Sequence, residues 1–176
     1  MAIFRTAEHT LHYFPGGGPE VKLKFAPHAE KVLRIGDRGE ERFIATVTRQ
    51  GDAWPYLIVE AQCSHLELME PGFLILSREG RLFLGAGDIA AIIDLQGRSV
   101  LAVDDPVLFW DWILAERTVI LTGECVCIAY SRTGERRWQA AVEPPWDIKV
   151  RDGTAVMEVC GRRSEFPVDV GPTKVG

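Results

Sequence analysis

The sequence lacks the long apolar runs that membrane helices and secretory leaders need. No stretch approaches the roughly 18 apolar residues of a membrane-spanning helix. The N-terminus, MAIFRTAEHTLHYF, carries arginine, glutamate and histidine near its start, which is not typical of a signal peptide. We therefore expect a soluble, cytoplasmic protein that makes no contact with a membrane.

Positive charge is also in short supply. The chain has 20 lysines and arginines against 25 aspartates and glutamates, which gives a formal net charge of −5. A protein that binds nucleic acid usually presents a basic surface to the phosphates. We therefore expect no nucleic-acid partner.

Catalytic motifs are missing too. The sequence contains no G-x-S-x-G nucleophile elbow and no convincing pair of a histidine with a carboxylate. The glycine run at residues 16–18 lacks the lysine and the serine or threonine that complete a phosphate-binding P-loop, so we interpret it as a flexible turn. The sequence favours a protein that is not an enzyme, and it predicts no catalytic residue and no cofactor.

Cysteine is scarce, with four residues in the chain. Without a secretory signal, Cys63, Cys125, Cys127 and Cys160 are expected to be reduced thiols, packed as small apolar side chains. Cys125 and Cys127 lie two apart on a predicted strand and should point to the same face. A zinc site that also uses His65 is the alternative, but a C-x-C pair within a strand is not the usual zinc spacing. We therefore predict no metal site.

The overall composition is that of an ordinary globular protein. The chain has 176 residues, of which 47% are hydrophobic and 26% are charged. This length favours one domain over residues 1–176 with a sizeable core. Residues 1–69 are expected to form N-terminal hairpins and residues 70–171 three repeats, while the tail 171–176 should fray.

The clearest pattern in the chain is an internal repeat of about 36–38 residues. Gly85, Gly123 and Gly161 are spaced 38 residues apart, and EPGFLILSREGRLFLG aligns without a gap on EPPWDIKVRDGTAVME. In the first unit, residues 73–76, 81–84, 89–93 and 98–103 are predicted to be short strands separated by glycine turns. Repetition at such a period is typical of stacked structural units.

One segment of the repeat resembles a known family. Residues 129–138, AYSRTGERRW, resemble the Ala-x-Asp-x-x-Thr-Gly-x-x-x-Trp signature of quinoprotein-type β-propeller blades, with one residue fewer and Ser131 in place of the usual aspartate. Residues 93–97 are a looser version of it. The resemblance covers residues 70–171 and implies four-stranded, antiparallel, blade-like sheets without implying a quinone cofactor.

Three blades are too few to close a propeller, which usually has 4 to 8. Residues 1–69 must supply a further blade, or the assembly is open or closed by a second chain. We therefore predict an all-β protein with a small or open propeller-like architecture. A β-sandwich is the alternative.

In the N-terminal region, apolar residues alternate with lysine over residues 21–25, which predicts a half-buried strand. Residues 31–35 form a short strand or a single helical turn. Residues 43–48 and 54–60 flank a Gln-Gly-Asp turn and are predicted to form a hairpin.

The most distinctive side chains are aromatic and lie in the second repeat. The segment 104–116 favours a strand over a helix, and in a strand Trp110 and Trp112 would share a face opposite Asp111. These aromatic side chains either fill the space between sheets or form an exposed patch that binds a partner. Phe109, Trp110, Asp111, Trp112 and Trp146 are therefore the candidate binding residues.

Three functions remain open on the sequence alone. The preferred one is a binding or scaffold module that recognises a protein partner through the aromatic patch or a loop face, and a homodimer is a further alternative. The second is a carboxylate-based hydrolase or lyase that uses His65, Glu67 and Asp111. The third is a metal or small-molecule sensor built on the cysteines.

Overall fold

The structure is a computed structural model that describes residues 1–173. Part of the tail that we expect to fray, residues 174–176, lies outside the described residues. The described residues form sixteen strands, one short α-helix and one 3₁₀ turn, arranged in four sheets. No helix among them is long and apolar enough to span a bilayer.

The first 69 residues build a five-stranded N-terminal sheet. Its elements are β1 (Ala2–Arg5), β2 (His9–Pro15), α1 (Pro19–Phe25), a 3₁₀ turn (Ala26–His28), β3 (Lys31–Ile35), β4 (Glu41–Arg49) and β5 (Leu57–Cys63). The order across the sheet is β1-β2-β4-β5-β3, with β3 parallel to β5 and the other pairs antiparallel. The predicted hairpin is confirmed as β4 and β5.

The rest of the described chain builds three repeat sheets. The first contains β6 (Gly72–Leu76), β7 (Arg81–Ala86), β8 (Ile89–Asp94) and β9 (Ser99–Asp104). The second contains β10 (Phe109–Leu114), β11 (Thr118–Gly123), β12 (Val126–Ser131) and β13 (Arg136–Ala141). The third contains β14 (Trp146–Arg151), β15 (Thr154–Val159) and β16 (Arg162–Pro167). Their first strands begin at residues 72, 109 and 146, so the repeat has a period of 37 residues.

Side-chain alternation along the middle strands shows how the sheets are stacked. On β7, Leu82 and Leu84 join a core shared with the N-terminal sheet, whereas Phe83 joins a core shared with the second repeat sheet. On β11, Leu121 faces the first repeat sheet and Ile120 faces the third. Successive residues of a strand point to opposite faces, so these strands are apolar throughout because both faces are covered.

The four sheets therefore form an open stack with three cores between them. Antiparallel blade-like sheets confirm the predicted all-β class. The alternative, a two-layer sandwich with one core, is not what forms. Residues 1–69 supply a fourth sheet, but its five strands and its parallel pair distinguish it from the repeats.

The strand predicted over residues 21–25 is wrong, because this segment is the helix α1. Pro19 lies in the first turn of the helix, where its missing N–H costs nothing. The helix buries no residue fully, and Leu23 is 76% exposed. Five residues of alternation cannot distinguish a strand from a short surface helix, and the place beside β5 is taken by β3.

Candidate functional site

The aromatic side chains of the second repeat lie mainly between sheets. Phe109 and Trp112 are buried in the core between the first and second repeat sheets. Trp146 is buried in the core between the second and third, where it stacks on the partly buried Trp110 with ring centroids 5.2 Å apart. The exposed aromatic patch, one of the two interpretations of the sequence, therefore does not form at Phe109, Trp112 or Trp146. Asp111 alone of the five candidates is exposed.

A β-bulge decides which way these side chains point. Phe109 pairs with Gly123 and Asp111 pairs with Thr122, so Trp110 is the extra residue of the bulge. The extra residue shifts the alternation by one position. Trp110 and Trp112 consequently point to opposite faces of the sheet, which corrects the prediction that they share one.

Two repeat glycines make room for Phe109. A Cβ atom at Gly85 would lie 2.1 Å from the Phe109 ring, and one at Gly72 would lie 2.7 Å from it. A side chain at either position would overlap the ring, so Phe109 packs directly against the backbone of these two glycines. Gly161 differs from Gly85 and Gly123, because it lies in a turn after β15 and not in a strand.

The four cysteines are dispersed. Cys63 and Cys127 are buried, whereas Cys125 and Cys160 are exposed. Cys125 precedes β12 and does not lie in it, so it does not share the buried face of Cys127 as predicted. Burial raises the pKa of the Cys63 and Cys127 thiols to about 12, which disfavours the thiolate that binds metals. Residues 1–173 contain no group of three or more potential ligands arranged to hold a metal ion.

The residues of the hydrolase interpretation are not brought together. Within residues 1–173, no hydrogen bond or ion pair joins His65, Glu67 and Asp111, and the Asp111 carboxylate accepts a bond from the backbone N–H of Trp112 at 2.7 Å. Glu67 lines a cavity whose lining includes neither of the other two. These three residues therefore do not form one site.

A charged cleft lies instead on the outer face of the N-terminal sheet. It has a volume of about 440 Å³ and is bounded by the glycine turn, α1 and the ends of β3, β4 and β5. Ile44 is the apolar side chain that shares the outer face with Glu60, whereas the side chains of Ile35 and Ala61 belong to the inner core and line the cleft from below the sheet. Gly17 lies directly against Ile44, since a Cβ there would be 2.9 Å from Ile44 Cγ1.

Strand register places the polar side chains of the cleft in two rows. Glu60 lies between Arg34 and Ile44 in one row, and Arg42 pairs with Gln62 in the next. Residues two apart on a strand share a face, so both rows open onto the same side of the sheet.

Glu60 forms ion pairs with two cations of the cleft, Lys22 and Arg34. Its Oε1 lies 2.7 Å from Lys22 Nζ on α1, and its Oε2 accepts a bond of 3.3 Å from Arg34 Nε. Gln62 Nε2 donates to the Gly39 carbonyl at 2.6 Å, which fixes the loop beside it.

The cleft is cationic although the chain is acidic. Lys22, Arg34 and Arg42 line it against the single carboxylate of Glu60. The Arg34 side chain is 78% exposed, and Arg42 has no ion pair within residues 1–173. Two guanidinium groups are thus available to an anion, and each can hold a carboxylate through two parallel bonds.

Sequence reasoning did not find these residues. The available signal was the interruption of the buried run LIVEAQC by Glu60 and Gln62, two polar residues two positions apart. Such a pattern marks one face of a strand as partly polar. It does not reveal that Arg34 and Arg42 lie beside it, because those residues come from other strands.

Comparison with known proteins gives a distant likeness in fold. No protein-family model matches the chain, and no curated protein sequence matches it. Among solved structures, BamB from Moraxella catarrhalis is similar at 9% identity and a TM-score of 0.44, over 73% of this chain and 42% of BamB.

Hsv2 is a second such structure. The Kluyveromyces lactis protein is similar at 10% identity and a TM-score of 0.36, over 77% of this chain and 47% of Hsv2. The Kluyveromyces marxianus protein gives 10% identity and 0.36, over 74% and 48%. BamB and Hsv2 are β-propellers, and this chain spans less than half the length of each. The blade-like architecture described above rests on the chain's own sheets and their 37-residue period.

Proposed function

We propose that this chain is a non-catalytic binding module, and that it recognises an acidic segment of a partner protein in the cationic cleft of the N-terminal sheet. The observation that carries the proposal is the set of three cations, Lys22, Arg34 and Arg42, around one carboxylate already engaged by two of them. A bound carboxylate would offset part of this excess positive charge.

The surroundings suit a peptide side chain. The guanidinium groups of Arg34 and Arg42 would bind the carboxylate oxygens of a glutamate or aspartate. The Lys22–Glu60 ion pair ties α1 to the sheet and so fixes one wall of the cleft before the ligand binds. Such preorganisation reduces the entropic cost of binding.

The proposal relocates the interaction site from the aromatic residues to the cleft. Aromatic anchors act when they insert into a pocket of the partner, and Phe109, Trp112 and Trp146 are buried within this chain. The sequence also left open recognition through a loop face. In this proposal the glycine turn at the mouth of the cleft is part of the binding site.

Isothermal titration with a hexaglutamate peptide tests the proposal. We expect binding at low salt that weakens as the salt concentration rises, because exposed charges are screened. The double variant Arg34→Ala/Arg42→Ala should lose at least about tenfold in affinity, since each charge-assisted bond contributes about 1.5–3 kcal/mol.

The matched control is Arg38→Ala. Arg38 is an exposed arginine of the same region, and it does not line the cleft. This variant should bind the peptide like the unmodified chain. Equal loss in the control and the double variant would show a diffuse charge effect, and unchanged affinity in the double variant would disprove a role for the cleft.

A further inference from the structure

Among the described residues, the third repeat sheet ends in an edge strand, β16, with no strand on its outer side. In the first and second repeat sheets the third strand is flanked by a fourth, β9 beside β8 and β13 beside β12. In the third sheet, β16 pairs with β15 alone among the described residues. An edge strand presents unpaired backbone groups on which another strand can form.

The pairing register identifies the free groups. Beyond the last pair of β15 and β16, the N–H of Val168 donates to the Gly153 carbonyl at 2.9 Å. Because bonding direction alternates along an antiparallel strand, the N–H groups of Ser164 and Phe166 also point towards β15. Those of Arg163 and Glu165 point outwards, and Pro167 ends the row because it has no N–H.

This edge carries no bulge and is accessible. The pairs β8–β9 and β12–β13 each contain a bulge, whereas β15–β16 runs without one. Bulges twist an edge away from further pairing. The outward residues are also exposed, with 65% of the Arg163 side chain and 62% of the Glu165 side chain accessible.

We propose that β16 pairs in antiparallel fashion with β16 of a second copy of this chain, about a two-fold axis at Ser164. In this register Arg163 faces Glu165 of the partner subunit, and Glu165 faces Arg163 of the partner subunit. All four residues have outward N–H groups, so two hydrogen-bonded pairs form with four ladder bonds. The two three-stranded sheets become one sheet of six strands.

Charge fixes both the register and the partner. A slip by two residues in either direction places Arg163 opposite Arg163 or Glu165 opposite Glu165, and like charges directly opposite destabilise a sheet. When two copies of the segment Arg-Ser-Glu run antiparallel, each arginine faces a glutamate. This complementarity favours a second copy of the chain over an unrelated strand. A two-fold interface uses the same patch on both subunits.

The dimer leaves the cationic cleft free. The cleft lies on the N-terminal sheet and β16 on the third repeat sheet, at opposite ends of the stack. Each dimer would present two clefts, although pairing through β16 does not depend on what the clefts bind.

Sedimentation velocity of the full chain, from about 10 to 300 μM, tests the proposal. The unmodified chain should approach twice its mass of 19.6 kDa as the concentration rises. Glu165→Arg places arginines opposite arginines in both pairs and should raise the dissociation constant by about tenfold or more. The double variant Arg163→Glu/Glu165→Arg reverses both charges, restores complementarity, and should dimerise like the unmodified chain.

Each other result overturns the proposal. A monomer at every concentration excludes the pairing, and a Glu165→Arg variant that dimerises normally places the interface elsewhere. Failure of the double variant to restore the dimer shows that charge complementarity does not set the register. Thermal melts of all three chains check folding, which should change little because both side chains are exposed.

Discussion

The two middle sheets of the stack have a neighbouring sheet on both faces, whereas each end sheet has a neighbouring sheet on one face. The middle strands β7, β8, β11 and β12 are buried almost throughout, because a neighbouring sheet covers each face. In the third repeat sheet, β14 and β16 carry exposed residues along one face. On the outer side of the N-terminal sheet no further sheet lies among the described residues, and α1, the 3₁₀ turn, the glycine turn and the loop around Trp54 pack there instead. The middle sheets thus mainly stabilise the fold, and both proposed interaction surfaces lie on the end sheets.

Ion pairs cross all three junctions between sheets. Arg136 pairs with Asp104 across the first and second repeat sheets, and Arg137 pairs with Asp169 at 2.5 Å across the second and third. At the junction of the N-terminal sheet with the first repeat sheet, Arg98 pairs with Glu30. This junction adds a neutral contact, between His9 Nδ1 and Ser77 Oγ at 3.4 Å.

The first prediction has the largest expected effect. It tests whether a residue between two sheets contributes more to stability than a residue on the outer side of an end sheet. Phe109→Ala empties a fully buried site between two sheets and should lower the free energy of unfolding by about 3–5 kcal/mol. Phe14→Ala, on the outer side of the N-terminal sheet where Phe14 contacts Phe25, should cost less than half of that. Urea denaturation of both variants measures the difference, and equal losses would contradict this expectation.

The second prediction compares two tryptophans within the repeat cores. Trp146 Nε1 donates to the carbonyls of Gly123 and Glu124, each at 3.1 Å, whereas Trp112 Nε1 is buried without a partner in the described structure. Replacement by phenylalanine removes the same atoms at both sites. Trp146→Phe should therefore be the more destabilising by about 1 kcal/mol, because it leaves carbonyl groups unpaired. Chemical denaturation checks this, and a larger loss for Trp112→Phe would refute the assigned role of the bonds.

The third prediction concerns pH and has the smallest effect. All four histidines lie in residues 1–69. Burial lowers the pKa of His9 and His12 below the usual 6.5, so protons bind the unfolded chain more readily than the folded one. The stability that neutral His9 and His12 contribute is present in full above pH 6.5. It is lost as the pH falls from 6.5 towards the lowered pKa values of these two side chains.

Thermal melts at pH 7.0 and pH 5.8 measure this decline. The double variant His9→Gln/His12→Gln should show a smaller difference between the two pH values, while Cys160→Ser in the third repeat sheet should behave like the unmodified chain. An undiminished pH response in the double variant would place the proton uptake elsewhere.

Much of the repeat region could be predicted from the sequence. The strands of the first repeat sheet were predicted to within a few residues, because glycine turns and apolar runs mark them locally. The helix α1 could not be predicted in this way, since its five alternating residues fit both structures equally. The direction of Trp110 depended on a bulge, which no local signal announced.

The sequence by itself determined the all-β class, a repeat of about 36–38 residues and the apolar middle strands, because these follow from spacing and alternation along one segment at a time. Only the tertiary structure decided that Trp112 and Trp146 are buried, that Arg34, Glu60 and Arg42 meet in one cleft, and that β16 has no second neighbour among the described residues. Each of these depends on which strands lie side by side. Strand pairing joins residues far apart in the chain, and alternation along a single strand carries no record of its neighbours.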